Sequence, residues 1–230
     1  MRFKNKVKAG LAAALTLLAL GLSTGISAAQ TQSRPGEHVY LMRGAFNVFS
    51  LGLDQLAARL QQLGINVSVE NYLAWSRIVD EAAAEYRSGR VQNIILVGHS
   101  SGATAVTAVA ARLGELGVPV KLAIGLDPTT RTFAAGHVDR YVNFVAPGGM
   151  GTVVDRGRDF HGVLQNVTIT TAGHFDMDKN QALQDRVIAE IRTAVAGRPA
   201  RISAAPAARS AAGGAPASTR HAAYGQDRPQ

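Results

Sequence analysis

The chain has 230 residues, no cysteine, 47% hydrophobic and 6% aromatic residues, and a formal net charge of +8. The absence of cysteine excludes disulfides and lipid attachment at an N-terminal cysteine. The positive charge belongs to the ends. Residues 1–29 carry four basic residues and residues 197–230 five arginines against Asp227, which leaves 15 basic and 15 acidic residues between Gln30 and Ala196. A basic face for nucleic acid therefore loses its support, and no nucleic-acid partner is expected.

In chain order, Arg2, Lys4, Lys6 and Lys8 precede a short apolar stretch over 9–22, and Ser27 and Ala29 stand at the small-residue positions of a cleavage site. This pattern predicts an export signal over 1–29 and a mature chain starting at Gln30. The expected protein is soluble, periplasmic or secreted, and without a stable membrane anchor after cleavage; a retained anchor is the alternative. Residues 30–196 are enough for one domain. Apolar or alternating runs over 38–42, 67–69, 93–97, 120–126, 141–145 and 167–171 predict about six strands. Between them, helical spacing recurs over 54–63, 75–86, 101–116 and 181–195, and Gly117 is placed to end the third of these helices. Strands that are apolar throughout, alternating with helices, predict an α/β fold: a doubly wound, mainly parallel sheet with helices on both faces. Residues 197–230 are rich in Ala, Pro, Arg, Ser and Gly, with Tyr224 their one aromatic, and read as a disordered tail.

In such a sheet ligands gather beyond the carboxyl ends of the strands, so the residues that end each run carry the interest. Gly98-His99-Ser100-Ser101-Gly102 follows the run at 93–97 and opens a helix, fitting G-x-S-x-G with Ser100 central. Flanking glycines suit a sharp strand-to-helix turn that lifts the central hydroxyl above the sheet, and the Ser101 amide is then a donor for an oxyanion. The bland alternative is a structural Gly-Ser turn. A serine nucleophile needs a base, and the base needs an orienting acid. Asp127 directly follows the run at 120–126, and His174 follows the run at 167–171 after Ala172-Gly173. Singly, Asp127 fits a turn before Pro128 and His174 a helix cap; in the order serine, acid, histidine after separate strands they support one another. His99 is expected to pack or hydrogen-bond beside the serine. The loop Arg43-Gly44-Ala45-Phe46-Asn47-Val48 is expected to give the second oxyanion donor from the Ala45 amide, with Phe46 as the second choice. Phe46, Val48 and Phe49 suit either an acyl pocket or the core. Asp176 and Asp178 read as caps rather than metal ligands, and no metal or cofactor is assigned.

These motifs resemble the α/β-hydrolase family over residues 37–195: G-H-S-S-G its nucleophile elbow, R-G-A-F its oxyanion loop, and G-H-F-D its histidine loop. Within that family, G-H-S-S-G-A-T-A followed by L-G-E-L-G-V-P-V-K-L-A-I-G-L-D is similar to thioesterase domains, in which the acid follows the strand immediately after the serine unit. The resemblance thus favours Asp127 as the acid, with Asp155 as second choice. Arg43 departs from the histidine that many members carry before the glycine. The short connection after Asp127 implies a reduced fold with no large lid and an open site. The implied function is an exported serine hydrolase cleaving a small-molecule or polymer-borne carboxylic ester through Ser100, His174 and Asp127. The alternatives are a thioesterase or acyltransferase on the same triad, or a noncatalytic binding protein on a hydrolase scaffold.

Overall fold

The computed structural model of the chain describes residues 36–45 and 50–196. The expected signal and tail lie outside the described residues, as do Phe46, Val48 and Phe49. Twelve regular elements run in order β1 (Gly36–Arg43), α1 (Gly52–Gln62), β2 (Val67–Asn71), α2 (Trp75–Arg87), β3 (Val91–His99), α3 (Ser101–Glu115), β4 (Val120–Leu126), β5 (Thr132–Ala134), β6 (Val138–Val145), β7 (Val154–Arg156), β8 (Val163–Thr168) and α4 (Gln181–Val195).

Six strands form one sheet in the order β2-β1-β3-β4-β6-β8, and every neighbouring pair is parallel. The period-2 alternation of a strand explains why the central strands are apolar throughout. On β1, Tyr40 and Met42 point to one side and Val39 and Leu41 to the other; on β3, Ile94 and Leu96 oppose Ile95 and Val97. The first side is covered by α2 and α3 through residues such as Ile78, Val106 and Val109. The second is covered by α1 and α4 through Leu56, Leu60, Val187 and Ile191. Gly117, at φ +71° just past α3, adopts the left-handed conformation that ends helices and favours glycine. Among the described residues, no helix is long and apolar enough to cross a membrane.

Two expectations need correction. The last strand runs over Val163–Thr168 rather than 167–171, because Val163 pairs with Arg140 and Thr168 with Val145, after which the chain leaves the ladder. A second sheet was not foreseen: β5 and β7, three residues each, pair in parallel on the segments flanking β6.

The chain leaves β1 toward β2 on one side and continues from β3 on the other. The strand order therefore reverses between β1 and β3, and this crevice beyond their carboxyl ends is where a doubly wound sheet binds ligands.

Candidate active site

Ser100 stands between β3 and α3 at φ 60°, ψ −125°. The flanking glycines are sterically required. A Cβ on Gly98 would lie 2.2 Å from the Gly102 carbonyl oxygen, and one on Gly102 would lie 2.0 Å from the Met42 carbonyl oxygen of β1. Any side chain would drive strand and helix apart. The Ser100 amide donates to the Leu126 carbonyl at 2.9 Å, fixing the turn to the end of β4, and the serine remains partly exposed.

Asp127 follows Leu126 at φ 56° and is fully buried. Its amide donates to the Phe144 carbonyl at 2.8 Å, and its Oδ1 accepts the Ala146 amide at 2.8 Å. Its Oδ2 lies 2.7 Å from His174 Nδ1. Since a carboxylate only accepts, Nδ1 carries the proton and Nε2 is free to accept from the Ser100 hydroxyl at 3.1 Å. Three residues remote in sequence thus form one directional chain from serine to buried carboxylate. Asp155, the second-choice acid, is instead in β7, paired with Arg131 at 2.7 Å. His174 does not cap α4; the Asn180 side chain does, accepting the Leu183 amide.

The fold is that of an α/β hydrolase. The chain superposes on Est1E from Butyrivibrio proteoclasticus with a TM-score of 0.52 and 11% identity, covering 70% of this chain and 89% of that one. It superposes on human thioesterase 2 with a TM-score of 0.50 and 10% identity, covering 69% and 96%. No family model matches the chain, and no curated protein matches its sequence. The likeness is one of fold.

In this α/β-hydrolase sheet the loop after β1 lies directly beside the serine. A Cβ on Gly44 would be 2.8 Å from Ser100 Cβ, so only glycine allows the approach. The Gly44 amide is engaged by Ser50 Oγ at 3.1 Å, which leaves the neighbouring Ala45 as the described residue of this loop expected to offer a donor. Ser101 opens α3, where the first amides of a helix have no partner within it. Arg43 turns away and pairs with Asp54 in the first turn of α1.

The sequence reading missed Gly151 and Ser50, and the distant partners of His99 and Asp178. Gly151 packs on the acid: a Cβ there would fall 1.8 Å from Asp127 Oδ1. The run Ala146-Pro147-Gly148-Gly149-Met150-Gly151 supplies no acid of its own, yet it covers one and gives it an amide. Ser50 and His99 are both buried and hydrogen-bonded at 2.9 Å, and His99 Nε2 reaches the His174 carbonyl at 2.8 Å. Asp178 caps α1 from a distance, its Oδ2 accepting the Gly52 amide at 2.8 Å. Burial pushes the Asp178 carboxyl up, opposed by nearby His99 and by the Gly52 hydrogen bond. Burial likewise holds the His99 imidazole below its ordinary range, opposed by Asp178. Among the described residues, the group bringing three metal-type ligands together is His38, Glu81 and Glu85. There Glu85 Oε2 already accepts from both His38 and Tyr40.

Beside the serine turn lies a groove of about 380 Å³ whose lining includes Tyr72, Trp75, Ser101, Thr104, Thr129 and Thr130, with no charged residue among the described residues that line it. Among the described residues, β5 is the only regular element between β4 and β6, so no helical lid crosses that connection.

Proposed function

We propose that the protein is a serine hydrolase that cleaves a carboxylic ester through an acyl-enzyme. The observation that carries this reading is the hydrogen-bonded chain Asp127–His174–Ser100, ending at a partly exposed hydroxyl on a strand-to-helix turn. Ser100 Oγ attacks the acyl carbon while its proton passes to His174 Nε2. Asp127 stabilises the imidazolium through Nδ1–H. The Ser101 and Ala45 amides receive the charge that develops on the carbonyl oxygen; one such donor is commonly worth about 3 kcal/mol in the barrier. Collapse expels the alcohol with the proton from His174. A water molecule activated by the same nitrogen then releases the acid and restores the serine.

The groove next to Ser101 supports a substrate whose bound portion is uncharged and largely apolar, since a buried charge would find no partner there. The signal-like pattern of residues 1–29 supports action outside the cytoplasm, on free or polymer-borne esters rather than on carrier-bound thioesters. Purified protein should hydrolyse p-nitrophenyl butyrate and be labelled by a fluorophosphonate probe, and Ser100→Ala should lose both. Equal hydrolysis by wild type and Ser100→Ala would refute the reading. Faster turnover of a butyryl thioester than of the oxygen ester would move the assignment to a thioesterase on the same residues.

A further inference from the structure

His99 occupies the variable position before Ser100 and is 1% exposed, yet neither ring nitrogen is idle. Nε2 lies 2.8 Å from the backbone carbonyl of His174. A carbonyl only accepts, so Nε2 carries a proton. In the neutral ring Nδ1 then accepts, and the group it meets, Ser50 Oγ at 2.9 Å, must donate. With its proton committed to His99, Ser50 Oγ accepts the Gly44 amide at 3.1 Å. The polarity of all three bonds is thereby determined: Gly44 N–H to Ser50, Ser50 O–H to His99, His99 N–H to the His174 carbonyl.

The two ends of this chain matter because of what stands beside them. Gly44 precedes Ala45, the proposed oxyanion donor after β1. The His174 carbonyl belongs to the proposed base, on the loop after the edge strand β8. These loops share no ladder, since β3, β4 and β6 lie between their strands. His99, at the end of β3, bridges them. A second proton would turn Nδ1 into a donor to the Ser50 hydroxyl and reverse the middle link of the chain. Burial opposes that second proton and prevails over the Asp178 carboxylate, the hydrogen bond to the His174 carbonyl and the Asp127 carboxylate, all of which favour it.

We propose that Ser50 and His99 are positioning residues, a neutral relay that holds the oxyanion loop and the general base in register across the Ser100 turn. This rests on the assignment of Ser100, His174 and Asp127 given above. Misplacement of reacting groups by about 1 Å can cost on the order of a hundredfold in rate, so the relay should be visible in kcat.

The test compares Ser50→Ala, His99→Leu and His99→Gln in the full protein, with p-nitrophenyl butyrate kinetics, thermal melts and nitrogen-15 NMR of the histidine rings. Ser50→Ala and His99→Leu should lower kcat about ten- to hundredfold with KM within about twofold, at temperatures where each variant is folded. His99→Gln keeps one donor and one acceptor and should recover most of the loss, which a merely space-filling role would not produce. The His99 ring should read as the neutral Nε2–H tautomer at neutral pH. Undiminished kcat in Ser50→Ala, or a His99 ring found protonated or as the Nδ1–H tautomer, would overturn the relay while leaving the triad standing. Ser50→Ala and the ring signals carry the test if His99→Leu does not fold. A wild type that neither hydrolyses esters nor takes the fluorophosphonate would overturn the triad, and the relay's role in turnover with it.

Discussion

Ser100 and Asp127 are the two non-glycine residues at positive φ among the described residues. Such backbone costs of order 1–3 kcal/mol per residue and persists only where the surroundings over-determine it. Here they do: the Ser100 amide is tied to β4, the Asp127 amide to β6, and the Asp127 carboxylate to both Ala146 and His174. The strain coincides with the two side chains that must project beyond the sheet. Asp127→Asn would put an amide where a buried acceptor is needed and favour the wrong imidazole tautomer. It should lower kcat by roughly three to four orders of magnitude. Asp155→Asn, which removes only a surface partner of Arg131, should leave kcat unchanged; the two variants measured side by side check the choice of acid. Ser100, Asp127 and His174 were legible in the sequence because each ends or follows an apolar run, which is a local signal. Gly151 and Ser50 were not legible in role, and His99 only as a group packing or hydrogen-bonding beside the serine, because their partners come from segments far apart in the chain.

At the scale of elements, the same division holds. The central strands and all four helices were readable, since burial on both faces makes a strand continuously apolar and burial on one face gives a helix its spacing. The edge strand β8 was misplaced because four of the six residues of Val163–Thr168 are polar or exposed, while the following β-branched residues imitate a strand. β5 and β7 are too short to have a period at all and exist through each other. The connection from β2 to α2 carries a functional expectation of its own. Asn71 caps a short 3₁₀ turn, Tyr72–Ala74, by accepting the Leu73 amide, and this turn delivers Tyr72 and Trp75 to the groove beside Ser101. Removing an aromatic wall of this kind costs roughly 1–3 kcal/mol of apolar contact. Trp75→Ala should therefore raise KM for p-nitrophenyl hexanoate by about tenfold and leave the acetate ester nearly unaffected, a contrast read directly from the two saturation curves.

At the scale of the whole molecule, stability should depend on pH through buried groups on both sides of the sheet. Burial acts to raise the Glu85 carboxyl, but hydrogen bonds from the Tyr40 hydroxyl and the His38 imidazole outweigh it and hold the group below its ordinary value of 4.5. A carboxyl depressed in the folded state contributes stability that is present above 4.5 and is lost as pH falls through the folded value. His99, also depressed, adds a loss that begins as pH falls below its ordinary 6.5. Asp178, raised, acts in the opposite sense, since its ionisation is disfavoured in the fold and that cost is relieved in acid. Glu85→Gln should consequently flatten the fall in Tm between about pH 5 and pH 3, as thermal melts across that range would reveal. An equally steep fall in the variant would assign the acid sensitivity to other groups.

The sheet order has one more consequence. Ser100 and Asp127 follow strands flanked on both sides, whereas His174 follows β8, which is paired with β6 alone and is half exposed. Edge strands fray first, opening locally at a free-energy cost below that of global unfolding. The proposed proton acceptor thus rides on the margin of the sheet and the proposed nucleophile at its centre. Two bonds clasp that margin to the centre, from His99 to the His174 carbonyl and from the His174 ring to Asp127, so the site should come apart by their release before the sheet melts.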